Sequence, residues 1–292
     1  MSRSVLVVGA SGLMGTHLAA AFDDVRPVVR TALTQAAADM QRFDLQDASE
    51  SQRLVAEQQP VAVVCAAAFA NVERCELEPD ATRAVNVAGT LALADAARAA
   101  GATFVFLSSE YVFDGEAGPY AEDAPVSPIN EYGRQKVAVE AALAERAEDW
   151  IVARVSCVYG HEARRKNFLY QLRDAARAGR ELAVPSDQIG TPTEASNAAG
   201  VIRERWSVGE RGIFHVAGAD RLIRSEFGKI GATELGLDPA IVRPTPTAEL
   251  GLAAPRPLGA GLLTDRAATR SRTPLLGVRE GIRSMLATGP LS

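Results

Sequence analysis

The feature that most constrains the fold is a glycine turn near the start of the chain. The apolar run Val5–Val8 leads directly into Gly9, Gly12 and Gly15, and a helical stretch follows. In such a strand–turn–helix unit the glycines allow a tight turn, a close approach of the backbone to a ligand, and close packing of helix on strand. The helix N-terminus then faces an anion. The pattern predicts a pyrophosphate-binding turn, with a plain βα turn as the alternative.

Short apolar runs alternate with alanine-rich helical stretches in the first half of the chain. The predicted strands are Val5–Val8, Val28–Val29, Val61–Cys65, Phe104–Leu107 and Ile151–Val155. The predicted helices are Gly15–Phe22, Ser49–Gln58, Ala81–Ala100 and Glu131–Arg146. This alternation predicts an α/β fold with a doubly wound parallel sheet of the Rossmann type.

The alternation of strands and helices becomes less regular after about Ser156, where prolines divide the chain into short segments. A chain of 292 residues is long enough for one dinucleotide-binding domain and a smaller appended region. We therefore predict a Rossmann domain over residues 1–156 and a mainly substrate-binding region over residues 157–292, with some segments returning to the sheet.

Composition excludes several classes of partner. A net charge of −5 leaves no basic stripe for nucleic acid or anionic lipid, so neither partner is expected. The only strongly apolar run near the N-terminus is too short for a signal peptide. The three cysteines form no CxxC motif, and the three histidines lack metal-ligand spacing, so we expect no disulfide framework and no metal. A reducing cytoplasm is the expected location.

Two residues are candidates to contact the adenosine half of a dinucleotide. The predicted second strand ends without a carboxylate to bind the ribose hydroxyls, and Arg30 could instead meet a 2′-phosphate. This favours NADP as cofactor, with NAD also possible; the alternative is that Arg30 is a solvated surface residue. Asp44, after the expected third strand, could accept from the adenine amino group, or it could cap a helix.

A catalytic group is indicated by Tyr132 and Lys136, which lie four residues apart at the start of a predicted helix. That spacing places both side chains on one helix face, where an ammonium is expected to lower the pKa of a phenol. Such a phenol can donate a proton to a carbonyl oxygen that receives hydride on its carbon. Ser109, at the end of a predicted strand, would hydrogen-bond the same oxygen. An exposed helix pair is the alternative for this motif alone.

Several stretches together resemble the extended short-chain dehydrogenase superfamily, and within it the dTDP-4-dehydrorhamnose reductase group. The most specific is Ser108–Gly115, which is similar to that group's catalytic strand and loop. Further similar stretches are Cys65–Glu73, Ala84–Asn86, Ala153–Gly160, Asp187–Thr193, Phe214–Gly218 and Arg256–Pro257. The resemblance covers nearly the whole chain.

The resemblance implies a set of site residues. It assigns catalysis to Ser109, Tyr132 and Lys136, with Tyr132 and Lys136 also touching the cofactor. Around the dinucleotide it places Gly9, Ser11, Gly12, Leu13, Met14, Asp44, Leu45, Ala66, Ala67, Ala68 and Asn86. Near the substrate it places Glu110, Tyr111, Cys157 and Arg256.

The implied function is NAD(P)H-dependent reduction of a keto group on a nucleotide-linked deoxysugar, by a protein that could form a homodimer. Glu110, Ala70 and Cys157 stand where the group has aspartate, threonine and tryptophan, so the sugar is left open. Glu110 also keeps an epimerase or dehydratase of the same superfamily as an alternative. A further alternative is a non-catalytic regulatory subunit resembling that of methionine adenosyltransferase. The basic loop His161–Lys166 could clasp a substrate diphosphate, or be a solvated charge run.

Overall fold

The computed structural model describes residues 3–34, 38–146 and 149–291. Its strands are β1 (Val5–Val8), β2 (Val28–Ala32), β3 (Met40–Arg42), β4 (Ala62–Cys65), β5 (Thr103–Ser109), β6 (Trp150–Val155), β7 (Val158–Tyr159), β8 (Leu182–Pro185), β9 (Ile189–Gly190), β10 (Thr193–Glu194), β11 (Gly212–His215), β12 (Leu222–Ile223) and β13 (Val242–Thr245).

The helices alternate with these strands. They are α1 (Leu13–Asp23), α2 (Ala48–Gln58), α3 (Val72–Leu77), α4 (Pro79–Arg83), α5 (Thr90–Ala99), α6 (Glu131–Glu145), α7 (Phe168–Arg177), α8 (Ala195–Ser207), α9 (Arg224–Glu234), α10 (Asp265–Arg270) and α11 (Val278–Ala287). A π-helical segment, Ala84–Gly89, joins α4 to α5, and short 3₁₀ helices span Glu110–Val112, Pro239–Ile241 and Thr247–Glu249.

Within the described residues, seven strands form one sheet in the order β11-β6-β5-β4-β1-β2-β3. Every pairing in this sheet is parallel. The chain builds outward from β1 to β3 and then returns to β4 on the other side of β1. In a doubly wound sheet, ligands bind at the carboxyl ends of the strands beside this reversal. The predicted α/β class and Rossmann-type sheet are confirmed.

The central strands are buried on both faces, which explains their nearly continuous apolar sequence. Val5 and Val7 of β1 pack with α1 and α8 on one face. Leu6 and Val8 face the opposite layer, which α2, α5 and α6 contribute. Helices thus cover both sides of the sheet and leave its carboxyl edge as the place for a ligand.

A second lobe follows β6. It contains the strand pairs β7/β10, β8/β13 and β9/β12, with α7, α9 and α11 packed around them. Its core is a separate apolar cluster that includes Tyr159, Phe168, Phe227 and Ile282. The chain also returns to the main sheet, because β11 lies at its edge beside β6.

Two predicted elements differ from the structure. The predicted second strand Val28–Val29 extends to Ala32, so Arg30 lies inside the strand and not at its end. The single helix predicted over Ala81–Ala100 is divided into α4, the π-helical segment and α5. The π-helical segment includes Gly89, where an added Cβ would lie 2.2 Å from the Leu45 carbonyl oxygen. Alanine-rich periodicity does not reveal such a close approach.

Candidate active site

A cavity of about 230 Å³ lies at the carboxyl edge of the sheet, where the strand order reverses. We call it the glycine-loop cavity. Its lining residues are Val8, Gly9, Ser11, Gly12, Ala32, Leu33, Thr34, Phe43, Asp44, Leu45, Gln46, Ala66, Ala67, Ala68, Phe69, Val85 and Arg164. Eight of the predicted cofactor-binding residues therefore line one cavity: Gly9, Ser11, Gly12, Asp44, Leu45, Ala66, Ala67 and Ala68.

The three glycines of the turn have different roles. Gly9 has a φ of +86°, and a Cβ there would lie 2.6 Å from the Ala67 backbone nitrogen. A Cβ on Gly15 would lie 2.1 Å from the Gly9 carbonyl oxygen, so this glycine lets α1 pack against the turn. A Cβ on Gly12 would have only the Gly9 oxygen within 4 Å, at 3.4 Å. Gly12 therefore leaves open space on the cavity side, which suits a ligand that approaches the backbone.

The N-terminus of α1 points into this cavity. Its N-cap is Gly12, and no side chain caps the helix. The first-turn N–H groups of a helix lack intrahelical partners and attract anions. The side chains of Leu13 and Met14 pack into the core on the α1 face, so any contribution of these two residues to a ligand comes from their backbone.

The far wall of the cavity is formed by Asp44 and Leu45. Asp44 Oδ1 accepts from the Gln46 backbone nitrogen at 3.0 Å. The N-cap of α2 is Asp47, whose carboxylate accepts from Ser49 and Glu50. The alternative that Asp44 caps this helix is therefore wrong, and its carboxylate remains a lining group of the cavity.

The structure does not bring Arg30 to the cavity. Its guanidinium donates to Asp23 at the C-terminus of α1, with a distance of 2.6 Å, and lies 3.7 Å from Asp39. Because α1 runs antiparallel to the strands, its C-terminus lies at the opposite edge of the sheet from the glycine turn. The prediction that Arg30 meets a 2′-phosphate is contradicted by this geometry.

Asn86 is also absent from the cavity wall, although the resemblance implied a cofactor contact. It is buried, and its amide accepts from the Phe69 nitrogen at 2.8 Å and donates to the Phe69 oxygen at 3.0 Å. It also donates to Gln135 Oε1 on α6 at 2.7 Å. Asn86 therefore ties the loop after β4 to α6 and acts on the site through other residues.

Ser109, Tyr132 and Lys136 meet at the junction of β5 and α6. The Ser109 hydroxyl accepts from the Tyr111 backbone nitrogen at 3.3 Å, and its interaction with the Tyr132 phenol lowers the pKa of that phenol. The Lys136 ammonium lies 5.4 Å from the Tyr132 ring centroid and donates to the Leu107 carbonyl at 2.8 Å. Local sequence explains the close approach of the two elements, because a Cβ on Gly133 would lie 2.0 Å from the Tyr111 carbonyl oxygen.

The electrostatics of this group differ from the sequence prediction. Burial raises the pKa of the Tyr132 phenol well above 10, and the hydrogen bond from Ser109 opposes this only partly. The predicted lowering of the phenol pKa by Lys136 is therefore wrong, since the ammonium is directed to the carbonyl of Leu107. Burial also lowers the pKa of Lys136 to about 8.

A second cavity, of about 340 Å³, lies between β5 and the second lobe, and we call it the Tyr111 cavity. All four predicted substrate-side residues line it: Glu110, Tyr111, Cys157 and Arg256. The ring of Tyr111 packs edge-on against Tyr132 at 6.0 Å between centroids. Ser109, Tyr132 and Lys136 line neither cavity. Tyr132 on α6 packs directly on Tyr111, and Gln135 on α6 bonds Asn86, which in turn bonds the wall residue Phe69 of the glycine-loop cavity.

Comparison with known proteins decides the family. A family model described as the RmlD substrate binding domain matches residues 3–289. The chain belongs to this family. The resemblance inferred from the Ser108–Gly115 stretch and the glycine turn is thereby confirmed at the level of the family.

Named relatives of this RmlD-family protein agree with that membership. It is 32% identical to the spore coat polysaccharide biosynthesis protein SpsK of Bacillus subtilis, over 97% of this chain and 96% of that protein. It is 32% identical to the dTDP-4-dehydrorhamnose reductase of Mycolicibacterium smegmatis, over 98% of this chain and 86% of that protein. The structure of dTDP-4-dehydrorhamnose reductase from Bacillus anthracis in complex with NADP superposes with a TM-score of 0.88 at 26% identity, covering 99% of this chain and all of that one.

Glu110 and Cys157 form an unusual pair in the Tyr111 cavity of this RmlD-family protein. The Cys157 thiol lies 3.6 Å from Glu110 Oε1, and the Gly261 N–H donates to Oε2 at 3.2 Å. Burial raises the pKa of the Glu110 carboxyl and that of the Cys157 thiol. Cys157 has a φ of +45°, a strained conformation of the kind that concentrates at functional sites.

Arg224 is a cavity residue that sequence reasoning missed. It lies at the start of α9, and its guanidinium stacks 4.4 Å from the Phe168 ring centroid. Arg256, the predicted cation of this cavity, is ion-paired with Glu73 and donates to the Ala254 carbonyl at 2.8 Å. No motif surrounds Arg224 in the sequence, so only the folding of the second lobe identifies it.

Neither a metal-binding cluster nor a membrane-spanning helix occurs in the described part of the chain. In residues 3–34, 38–146 and 149–291, no group of three or more histidine, cysteine and acidic side chains could hold a metal ion. In the same described part of the chain, the helices are all too short or too polar to cross a membrane.

Proposed function

We propose that this protein is an NAD(P)H-dependent reductase of a keto group on a nucleotide-linked deoxysugar, with NADP favoured and NAD also accepted. The observation that carries the proposal is that Tyr132 and Lys136 lie one helical turn apart on α6, which Lys136 joins to β5, the strand that ends at Ser109. Relatives named dTDP-4-dehydrorhamnose reductase, and a similar structure holding NADP, support it.

The glycine-loop cavity fits a dinucleotide. Gly12 leaves open space beside the uncapped N-terminus of α1, where a pyrophosphate would accept backbone hydrogen bonds. Asp44 would accept from the adenine amino group, and Ala66–Ala68 are small enough to let the ligand lie across the strand ends. When bound, the cofactor supplies hydride to the carbonyl carbon of the substrate.

The chain's own residues supply the proton. Tyr132 donates its phenolic proton to the carbonyl oxygen as that oxygen becomes an alkoxide, and Ser109 donates a hydrogen bond to the same oxygen. Because burial raises the pKa of Tyr132, the phenol is protonated at neutral pH and ready to donate. Lys136, with a pKa of about 8, is mostly charged at neutral pH, and its hydrogen bond to the Leu107 carbonyl joins α6 to β5.

The Tyr111 cavity supplies the place for the substrate. Its wall includes Arg224, which stacks on the aromatic ring of Phe168, and Arg256, a combination that suits a nucleoside diphosphate. Cys157 occupies a position in its wall next to Glu110, where a larger side chain would reduce the room for a sugar. The residues at positions 110 and 157 therefore set which keto sugar fits.

The test is a turnover assay with a panel of nucleotide-linked 4-keto sugars and NADPH, in which cofactor oxidation and sugar product are measured together. The proposal expects one NADPH oxidised for each sugar reduced. Conversion of a sugar with no net NADPH oxidation would instead identify an epimerase or dehydratase. Capture of a partner enzyme, with no turnover on any sugar of the panel, would identify a regulatory subunit.

Two further expectations belong to the same proposal. The division near residue 156 is supported by the separate apolar cluster of the second lobe. The homodimer is a prediction from the family resemblance, and sedimentation velocity would check it.

A further inference from the structure

The glycine-loop cavity contains one residue from the second lobe. Arg164, in the loop between β7 and α7, lines the cavity together with Ser11, Gly12 and Thr34. Among the described residues that line this cavity, Arg164 is the only cation and Asp44 the only anion. The sequence had suggested that this basic loop clasps a substrate diphosphate, whereas the structure places Arg164 at the opposite cavity.

The loop is fastened over the first two turns of α1. His17 on α1 has its Nε2 3.0 Å from the His161 carbonyl oxygen. Gly160 packs so closely here that a Cβ would lie 3.2 Å from His17 Nε2 and 3.4 Å from Leu13 Cδ1. His161 is held from its other side, because its Nε2 lies 2.9 Å from the Met285 carbonyl oxygen on α11. The loop therefore has a fixed position above the anion-attracting end of α1.

The interior of the loop is also organised. Glu162 Oε1 accepts from the backbone nitrogens of Lys166, at 2.8 Å, and Asn167, at 2.5 Å. The Asn167 amide donates to the Gly160 carbonyl at 2.7 Å and so closes the two ends of the loop. This closed turn holds the backbone from which the Arg164 side chain reaches the cavity.

We infer that Arg164 binds a phosphate group of the dinucleotide, an inference that rests on the proposed function. A guanidinium forms strong, paired hydrogen bonds to phosphate oxygens. The neighbouring end of β2 supplies no charge, since Ala32, Leu33 and Thr34 are the lining residues there. Arg30 cannot supply it, because its guanidinium is paired with Asp23 at the far end of α1.

The loop that carries Arg164 leads directly into a wall of the Tyr111 cavity. Asn167, which closes the loop, is also the N-cap of α7 and accepts from the Leu169 nitrogen. The first turn of α7 carries Phe168 and Gln171, both of which line the Tyr111 cavity. The closed loop that carries Arg164 therefore joins the glycine-loop cavity to the helix that forms one wall of the Tyr111 cavity.

The test compares Arg164→Ala with two matched controls that each remove one positive charge. Lys166→Ala alters the same loop outside the cavity wall, and Arg30→Ala alters the cation that faces away. Binding of NADPH and of NADH is measured by calorimetric titration, with thermal unfolding to verify folding. Because a hydrogen bond to a charged group contributes about 1.5–3 kcal/mol, Arg164→Ala should weaken binding about 10- to 100-fold. Each control should change it by no more than about twofold.

The two cofactors identify the phosphate. Equal weakening of NADPH and NADH binding by Arg164→Ala assigns the contact to the pyrophosphate, and weakening of NADPH alone assigns it to the 2′-phosphate. Unchanged affinity for both, in a variant that folds, overturns the inference and leaves the proposed function standing. If the unmodified protein binds neither dinucleotide, the proposed function itself fails and this inference fails with it.

Discussion

Arg154 and Glu140 form a buried ion pair that fastens the catalytic helix α6 to strand β6. The two side chains are joined by contacts of 2.6 Å and 3.0 Å. Glu140 lies one helical turn beyond Lys136, and its Oε1 also accepts from the Ser108 hydroxyl at 2.5 Å. Ser108 precedes Ser109 on β5, so this pair sets the relative position of the strand and helix that carry Ser109, Tyr132 and Lys136.

We predict that Arg154→Met lowers the free energy of unfolding by about 3–5 kcal/mol, because it leaves the Glu140 carboxylate buried without its partner. Urea unfolding measures the loss. The matched control is Arg146→Met, which breaks a half-exposed pair with Asp95 and should cost at most about 1 kcal/mol. Losses of similar size in the two variants would show that burial does not set the strength of the Arg154 pair.

We predict that acid destabilises the protein through His215. Burial and the neighbouring Arg154 guanidinium lower the pKa of this imidazole to about 3, from 6.5. Below pH 6.5 the unfolded chain binds a proton that the folded chain does not bind, so this contribution to stability is complete above pH 6.5 and falls toward pH 3. The slope for one such group is at most about 1.4 kcal/mol per pH unit.

The measurement is the free energy of unfolding of the unmodified protein and of His215→Gln at several pH values between 7 and 4. Glutamine does not titrate, so the variant should show a shallower dependence on pH. Parallel curves would mean that His215 takes up no proton on unfolding and that the buried imidazole is already charged in the folded state.

We predict that Tyr132→Phe abolishes turnover and leaves dinucleotide affinity within a few fold, because it removes the proton donor and retains the ring that packs on Tyr111. Steady-state rates and calorimetric titration provide the two measurements. Tyr170→Phe is the control, since it deletes the same oxygen from a buried tyrosine of the second-lobe core and should retain activity. A Tyr132→Phe enzyme with normal rates would remove the phenol from the mechanism.

We predict opposite effects for alanine at two helical glycines. Gly89→Ala should destabilise the protein and weaken dinucleotide binding, because its Cβ would lie 2.2 Å from the Leu45 carbonyl and push on the wall of the glycine-loop cavity. Gly200→Ala should stabilise it by up to about 1 kcal/mol, since α8 gains helix propensity and the nearest atom, Thr273 Cγ2, lies 3.9 Å away. Thermal unfolding and NADPH titration test both variants; a Gly89→Ala protein that binds normally would contradict the prediction.

Much of the fold was predictable because it depends on local patterns. The apolar run Val5–Val8 is a strand with those same bounds, and the catalytic helix begins at the predicted Glu131. Strand and helix boundaries that depend on tertiary contacts were harder to predict from the sequence. The residues after Val29 are polar or small, and only pairing with β1 and β3 shows that β2 continues through Arg30.

The candidate site divides in the same way. The pairing of Tyr132 with Lys136 could be predicted from the sequence, because residues four apart on a helix share a face. Their pKa shifts could not be predicted from the sequence. Burial dominates both shifts, and the sequence does not show which side chains are buried. Asn86 was recognisable as an asparagine of interest, but its bonds to Phe69 and Gln135 depend on three separate segments of chain.

The sequence by itself determined the glycine turn, the doubly wound sheet and the pairing of Tyr132 with Lys136 on one helix face, because each depends on residues that are neighbours along the chain. Tertiary structure alone decided that Arg30 faces away from the glycine-loop cavity and that Arg164 faces into it. The direction of a long cationic side chain depends on which distant segments pack beside it. Arg164 reaches its cavity only when the second lobe folds back over α1, and Arg30 finds Asp23 only when β2 packs beside the end of that helix.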